Sequence, residues 1–291
     1  WELDEDADVA VPAYYRQPFH AYEPGNLCWE AAWEAEVAGR AVGARNYPAF
    51  GADGEEAFRG AFDDALVAAG ARAPGAGDTI LDLGCATGHG TRRLAAKFPD
   101  AASLVGVDLS PYMISVARRL PELCKGENAW INVVSDDKRV SYARADAAAL
   151  PFGDSSQDYV VLSFVAHELP PAATRDVVHE AYRVLRPGGQ LWVTEMDFET
   201  EGFRKLRASP AFVFIRSTEP YLDVYADFGA AGVAEACADA GFGRVEAVAA
   251  TGRHYALVAA KDGGPAAFVD RREATKLPDT HLKTWESKSK S

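Results

Sequence analysis

The chain has few cysteines for its length and no long apolar run. Its four cysteines, at positions 28, 85, 124 and 237 of 291, are too far apart for a C-x-x-C zinc or redox pair and too few for a disulfide scaffold. We therefore expect four free thiols in a reducing compartment. No run approaches 18 consecutive apolar residues, so the sequence predicts no transmembrane helix.

Basic residues are also in deficit. The chain has 30 Lys and Arg against 43 Asp and Glu, which gives a formal net charge of −13. A protein that holds nucleic acid usually needs a basic surface to release counterions from the phosphates, and the acidic cluster Glu2–Asp8 would repel them. The composition thus argues against a nucleic-acid partner. A hydrophobic share of 48% and a charged share of 25% are typical of a globular protein.

The N-terminal end lacks the order of a signal peptide, in which a basic stretch precedes an apolar one. The first residue is Trp1 rather than Met. We expect a mature or trimmed form, such as the removal of an organelle transit peptide would leave.

Short apolar runs alternate with helical patterns between about residues 78 and 197, an order typical of a doubly wound α/β sheet. The predicted strands are 79–83, 103–107, 140–144, 158–163 and 190–195. The predicted helices lie near 90–97, from Pro111, and near 173–185. The last helix meets a strong stop signal at residues 186–189, Arg-Pro-Gly-Gly.

The two ends differ from this core. Residues 1–70 predict a helical N-terminal cap over one edge of the sheet, with positions at helical spacing that include Trp29, Ala32, Trp33, Glu36 and Val37. Residues 202–227, rich in Phe and Tyr, predict a helical lid insertion over a cleft. A helix near 232–240 and a hairpin of 245–250 with 255–260 complete a domain at 71–260. Residues 261–291, after the break Gly263-Gly264-Pro265, are interpreted as a tail.

The segment that carries the chemistry is residues 81–90. Glycines between a strand and a helix let the backbone approach a ligand closely, and the helix start offers free N–H groups to an anion. A dinucleotide fingerprint begun at Gly84 would need glycine at positions 86 and 89, where the chain has alanine and histidine. The pattern D-x-G-x-x-x-G is instead satisfied by Asp82, Gly84 and Gly88.

With three later segments, this motif resembles the ordered motifs of class I S-adenosylmethionine-dependent methyltransferases. The segments are 80–90, 106–108, 144–152 and 183–189. The branch it resembles contains the ubiquinone and menaquinone biosynthesis C-methyltransferases. The resemblance is strong over 78–197 and weak over 228–260. It implies a Rossmann-like, doubly wound, seven-stranded α/β sheet with S-adenosylmethionine as the cofactor.

A narrower resemblance is to uncharacterised plastid methyltransferases of plants and algae. It rests on residues 18–22, 25–27, 164–170 and 217–223. It implies a plastid location, with the cytoplasm as the alternative, and it supplies no substrate.

The class I resemblance assigns the cofactor contacts to one loop and to the ends of two strands. The loop would approach the cofactor, with Thr87 and nearby N–H groups holding its methionyl end. Asp108 would accept both ribose hydroxyl protons. Asp146 would accept from the adenine amino group, with the Ala147 N–H donating to a ring nitrogen. Asp82 either orders the loop or meets the methionyl ammonium group. The complete predicted cofactor set is Asp82, Gly84, Cys85, Ala86, Thr87, Gly88, Asp108, Leu109, Asp146, Ala147 and Phe164.

Each of these assignments has an alternative. Asp108 could only cap the next helix, and Asp146 could be a solvated loop carboxylate. We interpret Cys85 as a small buried residue rather than a nucleophile, and His89 as a helix-start residue. No metal site is predicted.

A general base is needed only if the acceptor loses a proton, and two candidates follow the fourth strand. His167 and Glu168 lie where ligands bind in open α/β sheets, and an imidazole suits such a base. The alternative is that both residues only shape the turn into the next helix. Further residues that either line an acceptor pocket or pack are Tyr14, Tyr15, His20, Tyr22, Tyr221 and His254.

The sequence thus favours a methyltransferase that acts on a small-molecule acceptor. The Phe and Tyr content of the cap and lid indicates a lipophilic or aromatic acceptor, unless these residues pack on one another. The competing hypothesis is a non-catalytic subunit of a larger complex that contacts a protein partner through the acidic N-terminus or the tail. A nicotinamide-dependent oxidoreductase is disfavoured by the residues at positions 86 and 89.

Overall fold

The chain folds around one mixed sheet. The computed structural model describes Leu3 and residues 9–124 and 137–274. The strands are β1 Thr79–Leu83, β2 Ser103–Asp108, β3 Val140–Arg144, β4 Gln157–Ser163, β5 Leu185–Met196, β6 Arg244–Thr251, β7 His254–Ala260 and β8 Ala267–Asp270. The α-helices are α1 Trp29–Asn46, α2 Gly54–Ala68, α3 His89–Lys97, α4 Pro111–Leu123, α5 Pro171–Val184, α6 Glu201–Arg207, α7 Pro210–Thr218 and α8 Leu222–Ala240.

The strand order in the sheet is β3-β2-β1-β4-β5-β7-β6-β8. Strands β1 to β5 run parallel, and β7 is antiparallel to both β5 and β6. The order changes direction between β1 and β4, and open α/β sheets bind ligands at the carboxyl ends of the strands at such a point. The predicted doubly wound fold is confirmed.

The sheet has an eighth strand where the sequence predicted seven strands and a tail. Strand β8 pairs in parallel with β6, so the Gly-Gly-Pro break at residues 263–265 is a turn into an edge strand and not the end of the domain. Just beyond β8, Arg272 Nη1 donates to Asp197 Oδ1 at 3.1 Å. All four residues of β8 are exposed, so the strand lacks the buried alternation that marks a strand in a sequence.

Successive strand residues face opposite layers. Leu81 and Val160 face α5 and α8 in one cluster, whereas Ile80 and Val161 face α2 in the other. The helix α2 covers this second face through Phe58 and its neighbours, while α1 packs on α4. The N-terminal helices therefore cover a face of the sheet and one of its helices, and not the edge that the sequence suggested.

The lid forms as α6, α7 and the start of α8, and its aromatic residues pack on one another. Phe198, Phe203, Phe212 and Tyr225 form one buried cluster with Leu222 and Ala166, and the rings of Phe198 and Phe203 lie 4.0 Å apart. The abundance of aromatic residues in this insertion is thus explained largely by its own core.

Within the described ranges, no helix has the length and apolarity needed to cross a membrane. Apart from Leu3, the acidic cluster at residues 2–8 lies outside the described residues, as does the tail beyond residue 274.

Candidate active site

The loop between β1 and α3 depends on two glycines with left-handed backbone. Gly84 has φ +67° and Gly88 has φ +81°, values that side chains rarely tolerate. A Cβ on Gly84 would stand 2.5 Å from Val165 Cγ2, and a Cβ on Gly88 would collide with the Tyr142 ring. The loop is therefore packed tightly against β3 and the segment after β4.

Asp108, at the end of β2, is tied to this loop. Its Oδ2 accepts from the Ala86 N–H at 2.9 Å and its Oδ1 from the Ser110 N–H at 2.8 Å. The helix cap of α4 is Ser110, whose hydroxyl accepts from the Met113 N–H. Asp108 is therefore not the side chain that caps the helix. Burial raises the pKa of its carboxyl group.

The Tyr15 hydroxyl donates to Asp108 Oδ1 at 3.3 Å. A carboxylate has about four acceptor positions, and Tyr15 with the two backbone N–H groups uses three of them. Two ribose hydroxyls would need the same acceptor, so they compete with Tyr15 for it. Tyr15 belongs to the N-terminal segment, defined here as residues 9–28.

Asp82 lies beneath the loop and not at its surface. It is 4% exposed, and its Oδ2 accepts from the Thr91 hydroxyl at 2.6 Å. Burial raises its pKa to about 6, against the opposing effect of Thr91. Of its two predicted roles, this position suits the one that orders the loop. Neighbouring Cys85 is buried, and desolvation holds the pKa of its thiol well above the usual range, as expected for a packing residue.

A buried ion-pair cluster that the sequence did not predict fixes the other side of the loop. Glu36 of α1, 4% exposed, accepts from Arg92 Nη2 at 2.8 Å and from the Thr87 hydroxyl at 3.2 Å. Its Oε1 lies 3.3 Å from His89 Nδ1. Burial alone would raise the pKa of Glu36, but His89 and Arg92 lower it to about 2. The Thr87 hydroxyl, predicted to hold the methionyl end, is thus engaged by Glu36.

The one sequence signal for this cluster is the placement of Glu36 among the apolar positions of α1. His89, interpreted as a helix-start residue, does begin α3. Its Nε2 also contacts Glu55 Oε1 at 2.8 Å, so it connects the loop to both N-terminal helices.

Asp146 follows β3 and is half-buried. Its Oδ1 accepts from the Ala148 N–H at 2.9 Å, which shapes the turn that contains Ala147. Burial raises the pKa of Tyr14 to about 12, with the charge of Asp146 as the next contribution. Asp146 follows β3 and Leu109 follows β2, which is the neighbouring strand. Both residues therefore lie at the carboxyl edge of the sheet, where the cofactor contacts were predicted.

The ring of Phe164 packs against other aromatic side chains. It stacks on Phe58 at 5.9 Å and meets Phe62 and His254 edge-on. The next residue, Val165, is the one whose side chain touches the loop at Gly84. The predicted cofactor contact of Phe164 therefore finds no support in the direction of its ring. His254 belongs to the same packing group.

His167 is held by a buried carboxylate. Its Nδ1 lies 2.9 Å from Glu195 Oε2 and 3.0 Å from Oε1, and its backbone N–H donates to Oε2 at 3.2 Å. Burial alone would lower the pKa of His167, but the charge and hydrogen bond of Glu195, which is 0% exposed, raise it to about 10. Glu195 thus favours the imidazolium form of His167, which is a poor general base.

Glu168 is better suited than His167 to act as a general base. Burial raises its pKa to about 7, with His167 and His20 opposing and Glu219 adding to the shift. Asn26 Nδ2 donates to its Oε2 at 3.4 Å. A carboxylate with a pKa near the working pH is suited to accept a proton from a bound acceptor.

Glu219 adds an unmatched acceptor to this region. Its Oε1 lies 3.7 Å from His20 Nε2, whereas its buried Oε2 has no hydrogen-bond partner among the described residues. Buried polar atoms are usually paired. An unpaired carboxylate oxygen beside Glu168 indicates a place for a donor group.

The N-terminal segment joins the two halves of this edge. Ser110 donates to the Asn26 carbonyl at 2.6 Å, the His20 N–H donates to the Thr218 carbonyl at 2.8 Å, and Tyr221 donates to the Tyr14 carbonyl at 3.1 Å. The segment thus contacts the end of β2 and the lid. Among the described residues, no group of three or more His, Cys, Asp or Glu side chains could hold a metal ion.

Comparison with known proteins agrees with this geometry. Residues 80–189 match the family described as "Methyltransferase domain". The chain is 37% identical over 123 residues to a demethylmenaquinone methyltransferase of Clavibacter sepedonicus, a match that covers 42% of this chain and 43% of that protein. It is 35% identical over 123 residues to a ubiquinone/menaquinone biosynthesis C-methyltransferase of Dinoroseobacter shibae, with 42% and 44% covered.

The structural comparison supports the fold. A phosphoethanolamine N-methyltransferase 2 of Haemonchus contortus, solved with phosphomonomethylethanolamine and S-adenosylhomocysteine, superposes with a TM-score of 0.50 at 21% identity. The match covers 69% of this chain and 52% of that one.

Residues 80–189 thus match a methyltransferase domain. Over this region the chain resembles methyltransferases of the ubiquinone and menaquinone biosynthesis branch, and S-adenosylmethionine is the cofactor that this resemblance implies. The chain spans less than half the length of the two curated relatives described above.

The residues at the carboxyl edge fit this cofactor. Adjacent strands β1, β2 and β3 end in the glycine loop, in Asp108 and near Asp146. These groups offer close backbone approach, a carboxylate for ribose hydroxyls and a second carboxylate beyond it, in the order that the parts of the cofactor require.

Proposed function

We propose that the chain transfers a methyl group from S-adenosylmethionine to a small-molecule acceptor that carries an ionisable hydroxyl group on a ring. The observation that carries this proposal is Glu168. Its carboxylate lies at the carboxyl edge of the sheet beside the cofactor residues, and its pKa is raised to about 7. The ring is supported by the relatives named for demethylmenaquinone and for ubiquinone/menaquinone biosynthesis. The aromatic residues of the lid give it little support, because they pack on one another.

In the proposed reaction, each residue of the acceptor side has one task. The cofactor supplies an electrophilic methyl group when bound. Glu168 accepts the acceptor's hydroxyl proton at its carboxylate, and Asn26 orients that carboxylate through its amide. The buried Oε2 of Glu219 accepts a second hydrogen bond from the acceptor. His167, fixed by Glu195, provides positive charge that favours the ionised form of Glu168.

The pH profile of the reaction tests the role of Glu168. A base must be deprotonated to act, so the activity should rise with pH through about 7 and then level off. Glu168→Gln should lower kcat by about 10²- to 10⁴-fold and remove that rise. Binding of S-adenosylhomocysteine, measured by calorimetry, should change little. Glu122→Gln, an exposed site on α4, is the matched control.

The assay needs a panel of acceptors, since the ring is a proposal. Labelled S-adenosylmethionine would be supplied with ring compounds that carry a free hydroxyl and with their methyl ethers. Transfer to the hydroxyl compounds alone is expected. Equal transfer to both sets would reject the proton-accepting role. If the chain binds the cofactor but transfers no methyl group to any compound of the panel or to any fraction of a cell extract, the result would favour the non-catalytic subunit.

The plastid location also stays a proposal. It is supported by the resemblance of residues 18–22, 25–27, 164–170 and 217–223, parts of which meet around Glu168 and Glu219. Cell fractionation with an antibody against the chain tests it, and recovery outside the plastid fraction would reject it.

A further inference from the structure

The outer face of the lid combines exposed apolar side chains with positive charge. On α7, Val213 is 68% exposed and Phe214 is 67% exposed. The opposite face of the same helix carries Phe212, which is buried in the lid cluster, and Ile215, which packs against it. A helix that is apolar on all sides is normally covered on all sides, but the described residues leave Val213 and Phe214 on the outer side of α7 exposed.

The neighbouring helix supplies the charge. Its inner side carries Phe203, which packs with Phe212 at a ring distance of 6.1 Å. Because both helices turn their buried residues to the same cluster, their exposed residues face outward together. On α6 these include Arg204 and Lys205, both exposed.

The charge of α6 and α7 opposes that of the whole chain. Residues 201–218 contain four basic residues and one acidic residue, in a chain whose net charge is −13. The basic residues are Arg204, Lys205, Arg207 and Arg216. Lys205 is paired with Glu201 and Arg216 with Asp223, so the excess positive charge lies on Arg204 and Arg207. A cationic patch on an acidic protein selects an anionic partner, because the rest of the surface repels one.

We infer that the outer face of α6 and α7 is a docking surface for an anionic lipid bilayer. A short helical surface with Phe on one part and Lys or Arg on another binds in the headgroup region by inserting its apolar side chains while its cations meet the lipid phosphates. The two features lie on neighbouring helices of the lid, with Val213, Phe214 and Arg204 exposed and Arg207 over the ring of Phe198 at the margin of the lid core. A bilayer satisfies both, because it presents apolar chains beneath an anionic surface.

Docking would also set the orientation of the protein. The lid contacts the N-terminal segment at Thr218 and Tyr221, beside Glu168 and Glu219. The acceptor side of the sheet edge would then lie next to the bilayer, from which a membrane-dissolved acceptor could enter without crossing water. This inference rests on the lid surface and stands whether or not the acceptor proposed above is the right one.

Vesicle sedimentation of the full chain tests the inference. The probes are phosphatidylcholine vesicles with and without phosphatidylglycerol. Binding is expected only with phosphatidylglycerol and should weaken as salt is added. Phe214→Ser should lower the partition coefficient at least about tenfold, and Arg204→Gln about fivefold.

Matched controls separate docking from loss of folding. Val67 on α2 is as exposed as Val213, at 68%, so Val67→Ser should leave binding unchanged, and Arg45→Gln provides the charge control on α1. Equal binding to both vesicle types, or lid variants that bind like the native chain, would overturn the inference. So would a dimer in solution that Phe214→Ser dissociates, because a second copy would then be the cover of α7.

Discussion

The cofactor side and the acceptor side of the sheet edge are built in different ways. On the cofactor side, the loop between β1 and α3 and the end of β2 lie close in the chain, and they bond to each other through backbone groups such as the Ala86 N–H. On the acceptor side, Glu168 meets Asn26 across 142 positions of the chain, and His20 meets Thr218. The first side is built mainly from local backbone geometry, with Glu36 of α1 as a distant anchor, and the second is built from long-range contacts between segments.

This difference has a physical reason. A cofactor that does not vary requires a fixed backbone cradle, which glycine and strand ends supply. An acceptor pocket is assembled from covering segments, and its character depends on which side chains those segments bring together. The same strands can therefore carry one cofactor and many acceptors.

Glu36→Ala should cause the largest effect and would show that the cofactor side also depends on a distant segment. Removal of one partner of a buried ion pair costs about 3–5 kcal/mol, since Arg92 is left unpaired under the loop. Urea denaturation at pH 7 measures the loss. Because the pKa of Glu36 is lowered to about 2, its contribution is present above about pH 4.5 and disappears as the pH falls toward 2.

The control for this variant is Glu30→Ala, which removes an exposed carboxylate from the first turn of the same helix. It should cost well under about 1 kcal/mol. Equal losses for the two variants would show that the buried cluster contributes no more than a surface charge.

Asp108→Ala should weaken the cofactor side of the sheet edge and leave the acceptor side unchanged. The carboxylate is the predicted acceptor of two ribose hydroxyls, and hydrogen bonds to charged groups contribute about 1.5–3 kcal/mol each. The affinity for S-adenosylmethionine should fall about a hundredfold or more, as measured by calorimetry, while Glu168→Gln leaves it nearly unchanged. Asp100→Ala, at an exposed position, is the control. An Asp108→Ala variant with native affinity would remove Asp108 from the cofactor site.

Glu195→Gln tests the acceptor side through the pH dependence of the free energy of unfolding. The pKa of His167 in the folded chain is about 10, against about 6.5 in the unfolded chain. The folded state therefore binds more protons above pH 6.5, so the stabilisation is complete below that pH and is lost as the pH rises toward 10. The variant should be less stable by about 2–3 kcal/mol near pH 6, and the difference should shrink by pH 10. A difference independent of pH, or one equal to that of the exposed control Glu199→Gln, would contradict the charged pair.

Tyr15→Phe should give the smallest effect and tests the hydrogen bond between the N-terminal segment and Asp108 on the cofactor side. If the tyrosine hydroxyl competes with the ribose for Asp108, its removal should raise the affinity for S-adenosylmethionine about two- to fivefold, in line with one net hydrogen bond. Tyr112→Phe on α4 is the control. A fall in affinity would mean that the Tyr15 hydroxyl assists the bound cofactor.

The difference between the cofactor side and the acceptor side also explains which features could be predicted from the sequence. The strands β1 and β3 were predicted at their observed bounds, and the glycine loop, Asp108 and Asp146 lie where the motifs placed them, because these features are local. The packing role of Phe164 was not visible, since Phe164 and Val165 are both apolar and only the φ of +58° at Phe164 decides which one meets Gly84. The sequence favoured His167 over Glu168 as the base because an imidazole suits proton transfer. It could not show that Glu195, 28 positions away, holds His167.

The strand β8 has a consequence for how the chain can be shortened. It covers the outer edge of β6 along residues 244–247, and Arg271 continues the pairing by donating to the Ala247 carbonyl at 2.8 Å. A chain cut after β7, at the end of the recognisable methyltransferase motifs, would leave the backbone groups of β6 unpaired at the sheet boundary. Such an open edge is a template for strand addition between molecules, so removal of the short segment that the sequence presents as a tail should promote association between copies of the domain.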